Sequence, residues 1–416
     1  MHLNRRFFLR DGALALAGTA ALPSFLVRSV MAEAKAAAPN AQRLIVIFQR
    51  GAADGLNVVV PYTEKNYYTM RPTIAIPADK VLDLDGFFGL HPSLAPFKPL
   101  YDQGHLAIIH AAGSPDMTRS HFDAQDYMES GTPGIKATTD GWLNRALQAE
   151  DLRHQQEHTA FRALALGSQV PLTLTGKVPA IALNNIGNFA VGGHGPAPSQ
   201  AANAFEAMYG GSGDRIFHPA GEETFDAVKM LRSVDPTQYK PSPGADYPDT
   251  EFGKNMKQIA QLLKANLGVE AAFTDVTGWD THQNQGGVTG QLSDRLRDFS
   301  SSIAAFWRDM GDSSEEITVV TMSEFGRTAR QNGTGGTDHG HANTMFVLGG
   351  KVNGGKVYGH WPGIADHQLN EGRDLTVTTD FRQVLGEAVT KSIGASNLEL
   401  IFPGAKLRKD KFLGLA

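Results

Sequence analysis

Six short and nearly unbroken apolar runs are spread along the chain: 44–48, 106–109, 162–166, 269–273, 317–321 and 345–348. Within them the apolar residues follow one another instead of alternating with polar ones. That pattern predicts strands covered on both faces, the signature of a parallel sheet packed between helices. Leu292, Leu296, Phe299, Ile303 and Phe306 recur every three or four residues, which predicts one apolar face of an amphipathic helix. A second helix is predicted from Phe252 through Met256, Ile259 and Leu263, and a third begins near His121 and runs through Tyr127 and Met128. Residues 269–321 thus read as a strand-helix-strand unit. The fold class expected is α/β: one doubly wound domain over 40–416, with a mainly parallel sheet sandwiched by helices.

Two stretches depart from this pattern. From 184 to 244 the chain is rich in Gly, Ala, Pro and Asn with little periodicity, which predicts a loop-rich insertion or lid. At the other departure, residues 1–34 run in the order charged, apolar, small. Arg5-Arg6 is followed by Phe7-Phe8-Leu9, then an apolar stretch from Gly12 to Leu22, then Ala32-Glu33-Ala34. That order predicts a cleaved export signal, and the paired arginines point to the twin-arginine route, with the translocase as a partner during export. The expected location is periplasmic or secreted. The apolar stretch is shorter than the roughly 20 residues a membrane span requires, so no stable membrane insertion is expected after cleavage.

Composition narrows the chemistry. The net charge is −5 with no basic tract, which argues against a nucleic-acid partner. Cysteine is absent, removing disulfides, thiolate nucleophiles and Cys-ligated metals; any metal must be held by His, Asp and Glu.

In open parallel sheets, ligands sit beyond the carboxyl ends of the strands. The residues after the predicted strands supply Asp54, then Thr118-Arg119-Ser120-His121, then Asp280 and His282, then Glu324 and Arg327, then Asp338-His339-Gly340-His341. Oxygen and imidazole donors without thiolate suit one or two of Zn²⁺, Mn²⁺, Mg²⁺ or Ca²⁺. Asp54, Asp280, His282, Asp338, His339 and His341 are the candidate ligands. Glu324 is either a further ligand or the ion-pair partner of Arg327. Thr118 and Ser120 are candidate nucleophiles needing a metal or base for activation, unless one of them caps the following helix. Arg119 and His121 are placed to hold an anionic substrate. His91, His105, His154, His158 and His360 fall outside the pattern and read as structural or exposed.

Together, Arg50-Gly51-Ala52-Ala53-Asp54-Gly55, Arg119-Ser120-His121-Phe122, Trp279-Asp280-Thr281-His282, Ser323-Glu324-Phe325-Gly326-Arg327-Thr328 and Asp338-His339-Gly340-His341 resemble the family catalogued as domain of unknown function 1501. That family is grouped with the alkaline phosphatase and sulfatase superfamily. The resemblance implies an alkaline-phosphatase-like fold, one or two divalent metals and a hydroxyl or modified-Cys nucleophile. It makes Asp54 similar to the acidic ligand after the first strand, Thr118 to the nucleophile with Ser120 as substitute, and Asp280 and His282 to one Asp/His pair. For the other pair two registers stand: Asp338-His339 fills it, or Glu324 does and His339 or His341 is the final histidine. The Cys/Ser-x-Pro-x-Arg sulfatase signature is missing, and without cysteine a formylglycine made from Cys is excluded.

The function expected is an exported metal-dependent hydrolase of phosphate or related anionic esters, small or polymeric. The alternative is a non-catalytic periplasmic binding or assembly protein that retains the fold.

Overall fold

The computed structural model describes residues 42–154, 158–186 and 238–415. The export signal expected at 1–34 and most of the insertion expected at 184–244 lie outside the described residues, as does the side chain of His154. Among the described residues, twelve strands are formed: β1 (Arg43–Gln49), β2 (Val59–Val60), β3 (Leu82–Asp83), β4 (Gly89–Leu90), β5 (Leu106–Gly113), β6 (Ala163–Leu166), β7 (Ile181–Leu183), β8 (Ala271–Val276), β9 (Ile317–Met322), β10 (Asn343–Gly349), β11 (Lys356–Tyr358) and β12 (Thr379–Asp380). The five helices that matter below are α1 (His121–Ser130), α2 (Trp142–His154), α3 (Glu251–Lys264), α4 (Gln291–Met310) and α5 (Phe381–Ser392).

Every one of the six apolar runs forms a strand of one nine-stranded sheet, ordered β11-β5-β10-β9-β1-β8-β6-β7, with β12 paired to β5. A separate small sheet has the order β2-β4-β3. All of β5 and β10 is buried, and β1 is buried from Leu44 onward, as continuous apolar runs require. Successive residues of β1 face opposite layers. Ile45 and Ile47 pack with Phe252 and Met256 of α3 and with Leu292, Leu296 and Phe299 of α4. Leu44, Val46 and Phe48 pack with Trp142 and Leu143 of α2 and with Phe381 and Val384 of α5. The architecture is therefore a mixed, mainly parallel sheet sandwiched by helices.

The sheet departs from a purely parallel one at β10, which runs antiparallel to both β5 and β9. The segment between β9 and β10 contains no crossover helix to carry the chain back to the starting edge. A strand entered without such a crossover must return antiparallel. This reversal matters for the site. The residues just before β10 lie at the same edge as those just after β1, β5, β8 and β9. Parallel strand ends and one antiparallel strand beginning thus converge there.

Candidate metal centre

Three imidazoles from three different loops meet at that carboxyl edge. His121 opens α1, His282 follows β8 and His339 precedes β10. The Nε2 atom of His339 lies 3.0 Å from Nε2 of His121 and 3.0 Å from Nε2 of His282. Asp280 closes the group, its carboxylate 3.0 Å from His282 Nε2, 3.4 Å from His339 Nε2 and 3.6 Å from His121 Nε2. Ligand atoms of His121, Asp280 and His339 all fall within 4.8 Å of one another, close enough to share one ion.

The outer nitrogen of each ring fixes which nitrogen bears the proton. His339 Nδ1 lies 2.9 Å from the Arg119 carbonyl oxygen, which can only accept, so Nδ1 donates. His121 Nδ1 donates to Glu324 Oε1 at 2.8 Å, and His282 Nδ1 donates to Asp338 Oδ1 at 3.2 Å. A neutral imidazole whose Nδ1 carries the hydrogen has its lone pair on Nε2. With the outer nitrogens so engaged, three Nε2 atoms and one carboxylate face a common point. Such donors repel one another unless a cation lies among them. Each imidazole also has the outer hydrogen-bond acceptor that metal-bound histidines use for orientation. The residues present fit a divalent metal.

Charges around the group support this. Burial would raise the Asp280 carboxyl, but the Arg327 guanidinium bonded to it, aided by His282 and His121, holds it below the usual carboxylate range. Burial likewise opposes ionisation of Glu324. Hydrogen bonds from His121, from Gln125 Nε2 at 2.9 Å and from the Gly51 N–H at 2.8 Å overcome it and lower its pKa. Asp338 is lowered chiefly by the hydrogen bond from Asn332. His339 is pushed below the ordinary imidazole value by burial, which favours the neutral, ligating form.

Local backbone makes these approaches possible. Gly51 has φ +115°, and a Cβ there would lie 2.8 Å from the Asp280 backbone nitrogen. At Gly340, between His339 and His341, a Cβ would meet the Arg327 carbonyl oxygen at 2.4 Å. Ala52, beside Gly51, holds φ +62° without being glycine. That strained position is kept where its carbonyl accepts from Arg327 Nε at 2.7 Å.

Residues 105–397, more than half of the chain, match the family described as "Protein of unknown function (DUF1501)". The chain belongs to the DUF1501 family. No curated protein matches it. Among solved structures, it is similar to a mutant of the alkaline phosphatase PafA, with TM-score 0.34 and 10% identity over 70% of this chain. The match spans 64% of that protein's length. It is also similar to the phosphonate monoester hydrolase of Agrobacterium radiobacter, with TM-score 0.33 and 10% identity, covering 88% of this chain and 79% of that one.

In this DUF1501 protein, the residues expected from sequence divide into three groups. Asp280, His282 and His339 stand together with donor atoms converging. His121 joins them, its Nε2 facing the same point as theirs. Glu324 and Asp338 lie one step out, each accepting a hydrogen bond from one of these histidines. Glu324 is also not the partner of Arg327, which instead pairs with Asp280 at 2.5 Å.

The remaining candidates are occupied elsewhere. Asp54 is buried in a two-pronged ion pair with Arg71, at 2.6 and 2.9 Å, and takes a third hydrogen bond from Gln285 at 2.6 Å. Its oxygens are committed to those donors, so it does not join the imidazoles. His341 directs Nε2 to the Ser114 carbonyl oxygen at 2.8 Å. The Arg119 guanidinium is held by Glu371 and Asp374 instead of standing ready for an anion. The Thr118 hydroxyl accepts from the Ser120 N–H at 3.2 Å, and Ser120, at the start of α1, makes no side-chain cap. Neither hydroxyl caps the helix as the alternative reading of these residues expects.

Sequence reasoning missed Arg71, Gln125, Gln285 and Asp374. Only Gln125 left a local signal: it lies four residues after His121 on α1, so both side chains share a helix face and reach Glu324. The others act across long sequence separations, which no local pattern records.

Proposed function

We propose that this protein is an exported, metal-dependent hydrolase of phosphate or related anionic esters. The observation that carries the proposal is the convergence of three Nε2 atoms and the Asp280 carboxylate. His121, His282, His339 and Asp280 would hold the ion, a set of nitrogen and oxygen donors suited to zinc and open to other divalent metals. A divalent cation there would supply Lewis-acid chemistry, polarising an ester oxygen and lowering the pKa of a hydroxyl or water.

The chain's own groups prepare that step. Glu324, Asp338 and the Arg119 carbonyl accept from Nδ1 of the three rings and so turn each Nε2 inward. Arg327 keeps Asp280 ionised. Thr118 and Ser120 flank Arg119, whose carbonyl touches His339, so their hydroxyls are the nucleophile candidates beside the centre. Arg373, exposed and bonded through one N–H to the His339 carbonyl at 2.9 Å, is the guanidinium that meets an anionic group. Export through the twin-arginine route belongs to the same proposal, because translocation of folded protein lets the cytoplasm load the metal first. It rests on the Arg5-Arg6 segment.

A second reading keeps the fold and the ion but not catalysis. It is favoured by the commitment of the Arg119 guanidinium to two carboxylates. Turnover of a panel of phosphate mono- and diesters by the metal-loaded protein separates the two. The hydrolase reading expects activity that is lost in Thr118→Ala or Ser120→Ala with metal still bound. Absence of turnover by fully loaded protein across the panel supports the second reading.

A further inference from the structure

The three donor rings do not owe their orientation to the same kind of acceptor. His121 and His282 donate to carboxylates, whereas His339 donates to a main-chain carbonyl, that of Arg119. A carbonyl oxygen is only as well placed as the backbone bearing it. Residues 114–120, between β5 and α1, form neither helix nor strand. Something outside that segment has to hold it.

The Arg119 side chain shows what does. Its guanidinium donates to Asp374, with Nε to Oδ2 at 3.3 Å and Nη2 to Oδ1 and Oδ2 at 3.2 and 3.1 Å. Asp374 is completely buried, and burial pushes its carboxyl up even with Arg119 beside it. The same loop grips His339 from the other side, because Arg373 Nη2 donates to the His339 carbonyl. It is also tied to the strand-end loops: the Ala329 N–H donates to the Arg373 carbonyl at 3.0 Å and the Ala342 N–H to the Leu375 carbonyl at 3.1 Å.

We infer that Asp374 is a positioning residue for the metal centre, setting the His339 ring through the Arg119 main chain. A buried carboxylate at this place contributes orientation, since an ion pair out of water is a weak source of net stability. The inference rests on the reading of the His121, His282, His339 and Asp280 group as a metal site.

The test is Zn²⁺ titration of the metal-stripped full chain by calorimetry, together with the visible spectrum of its Co²⁺ form. Asp374→Asn should weaken Zn²⁺ binding, by less than the about tenfold to hundredfold that follows losing the direct outer partner of a ligating histidine. It should also alter the Co²⁺ bands. Because removing one partner of a buried pair can unfold a protein, the double variant Arg119→Met with Asp374→Leu is measured beside it; apolar replacement of the pair restores stability but not the anchor. Weak binding in this folded double variant supports positioning. Wild-type affinity and an unchanged Co²⁺ spectrum in either folded variant overturn it. Failure of the wild type to bind Zn²⁺ or Co²⁺ instead sinks the metal-site reading itself, a distinguishable outcome.

Discussion

Two groups of histidine and carboxylates, at opposite edges of the sheet, are each compact enough to hold a metal ion, yet they are built differently. At the amino edge, Glu150, Asp151 and Glu270 surround the buried guanidinium of Arg162, at 2.8, 2.6 and 2.9 Å. His158 there has Nε2 2.8 Å from Asp151 and Nδ1 3.1 Å from Glu270, so both ring nitrogens face acceptors. The Arg162 guanidinium already occupies the middle of that group. At the carboxyl edge, the arginine lies behind the donors: Arg327 grips one oxygen of Asp280 while the imidazoles face one another. In the first arrangement a guanidinium of the protein fills the middle of the group; in the second the donor nitrogens face one another around a place that an added cation would fill. Proximity of ligand-type residues is therefore a poor guide to a metal site. What decides is where the protons and the guanidinium sit.

This contrast can be broken in graded ways. The largest effect is expected from Arg162→Met, which strands three carboxylates around one histidine. Loss of one partner of a buried pair costs about 3–5 kcal/mol, to be read from denaturant unfolding, with the metal content unchanged. At the other edge, His339→Ala should leave the unfolding midpoint of the metal-free protein near that of the wild type while abolishing stoichiometric metal. Loss of metal in the first variant, or its retention in the second, reverses the assignment. Next come the outer acceptors. Glu324→Gln and Asp338→Asn should each weaken metal binding, by about tenfold to a hundredfold. The Glu324 effect should be the greater, because that carboxylate is buried and the Asp338 side chain is 52% exposed.

The smallest effect is on pH dependence. His339 has a folded-state pKa below its ordinary 6.5, so below that pH the unfolded chain takes up its proton more readily. Metal-free protein should therefore lose stability as pH falls through the imidazole range, and His339→Gln should flatten that part of the profile. An identical profile in the variant would show that His339 is not held neutral by burial.

Much of the fold was legible because burial on both faces leaves a local mark. The runs at 44–48 and 345–348 each lie within a buried strand, and the 292–306 periodicity within α4. The direction of β10 was not legible: an apolar run reads the same in either sense, and only the missing crossover helix decides it. The carboxyl-edge rule named Asp280, His282, His339 and His121, whose side chains lie side by side in the structure. It could not assign protons or partners, because these depend on contacts such as Asp54 with Arg71 and Arg119 with Asp374. Asp54 illustrates the limit. A carboxylate after the first strand at the right edge looks like a ligand until the arginine 17 residues later is seen folded onto it.

The contrast turns on whether the carboxyl-edge group carries a divalent ion. Elemental analysis of the folded, purified protein after exposure to Zn²⁺, Mn²⁺, Mg²⁺ and Ca²⁺ tests it directly, with His121→Ala alongside. The prediction is at least one tightly held equivalent in the wild type and none in the variant. Wild-type protein that remains free of all four ions, or a His121→Ala variant that binds as much as the wild type, would contradict it.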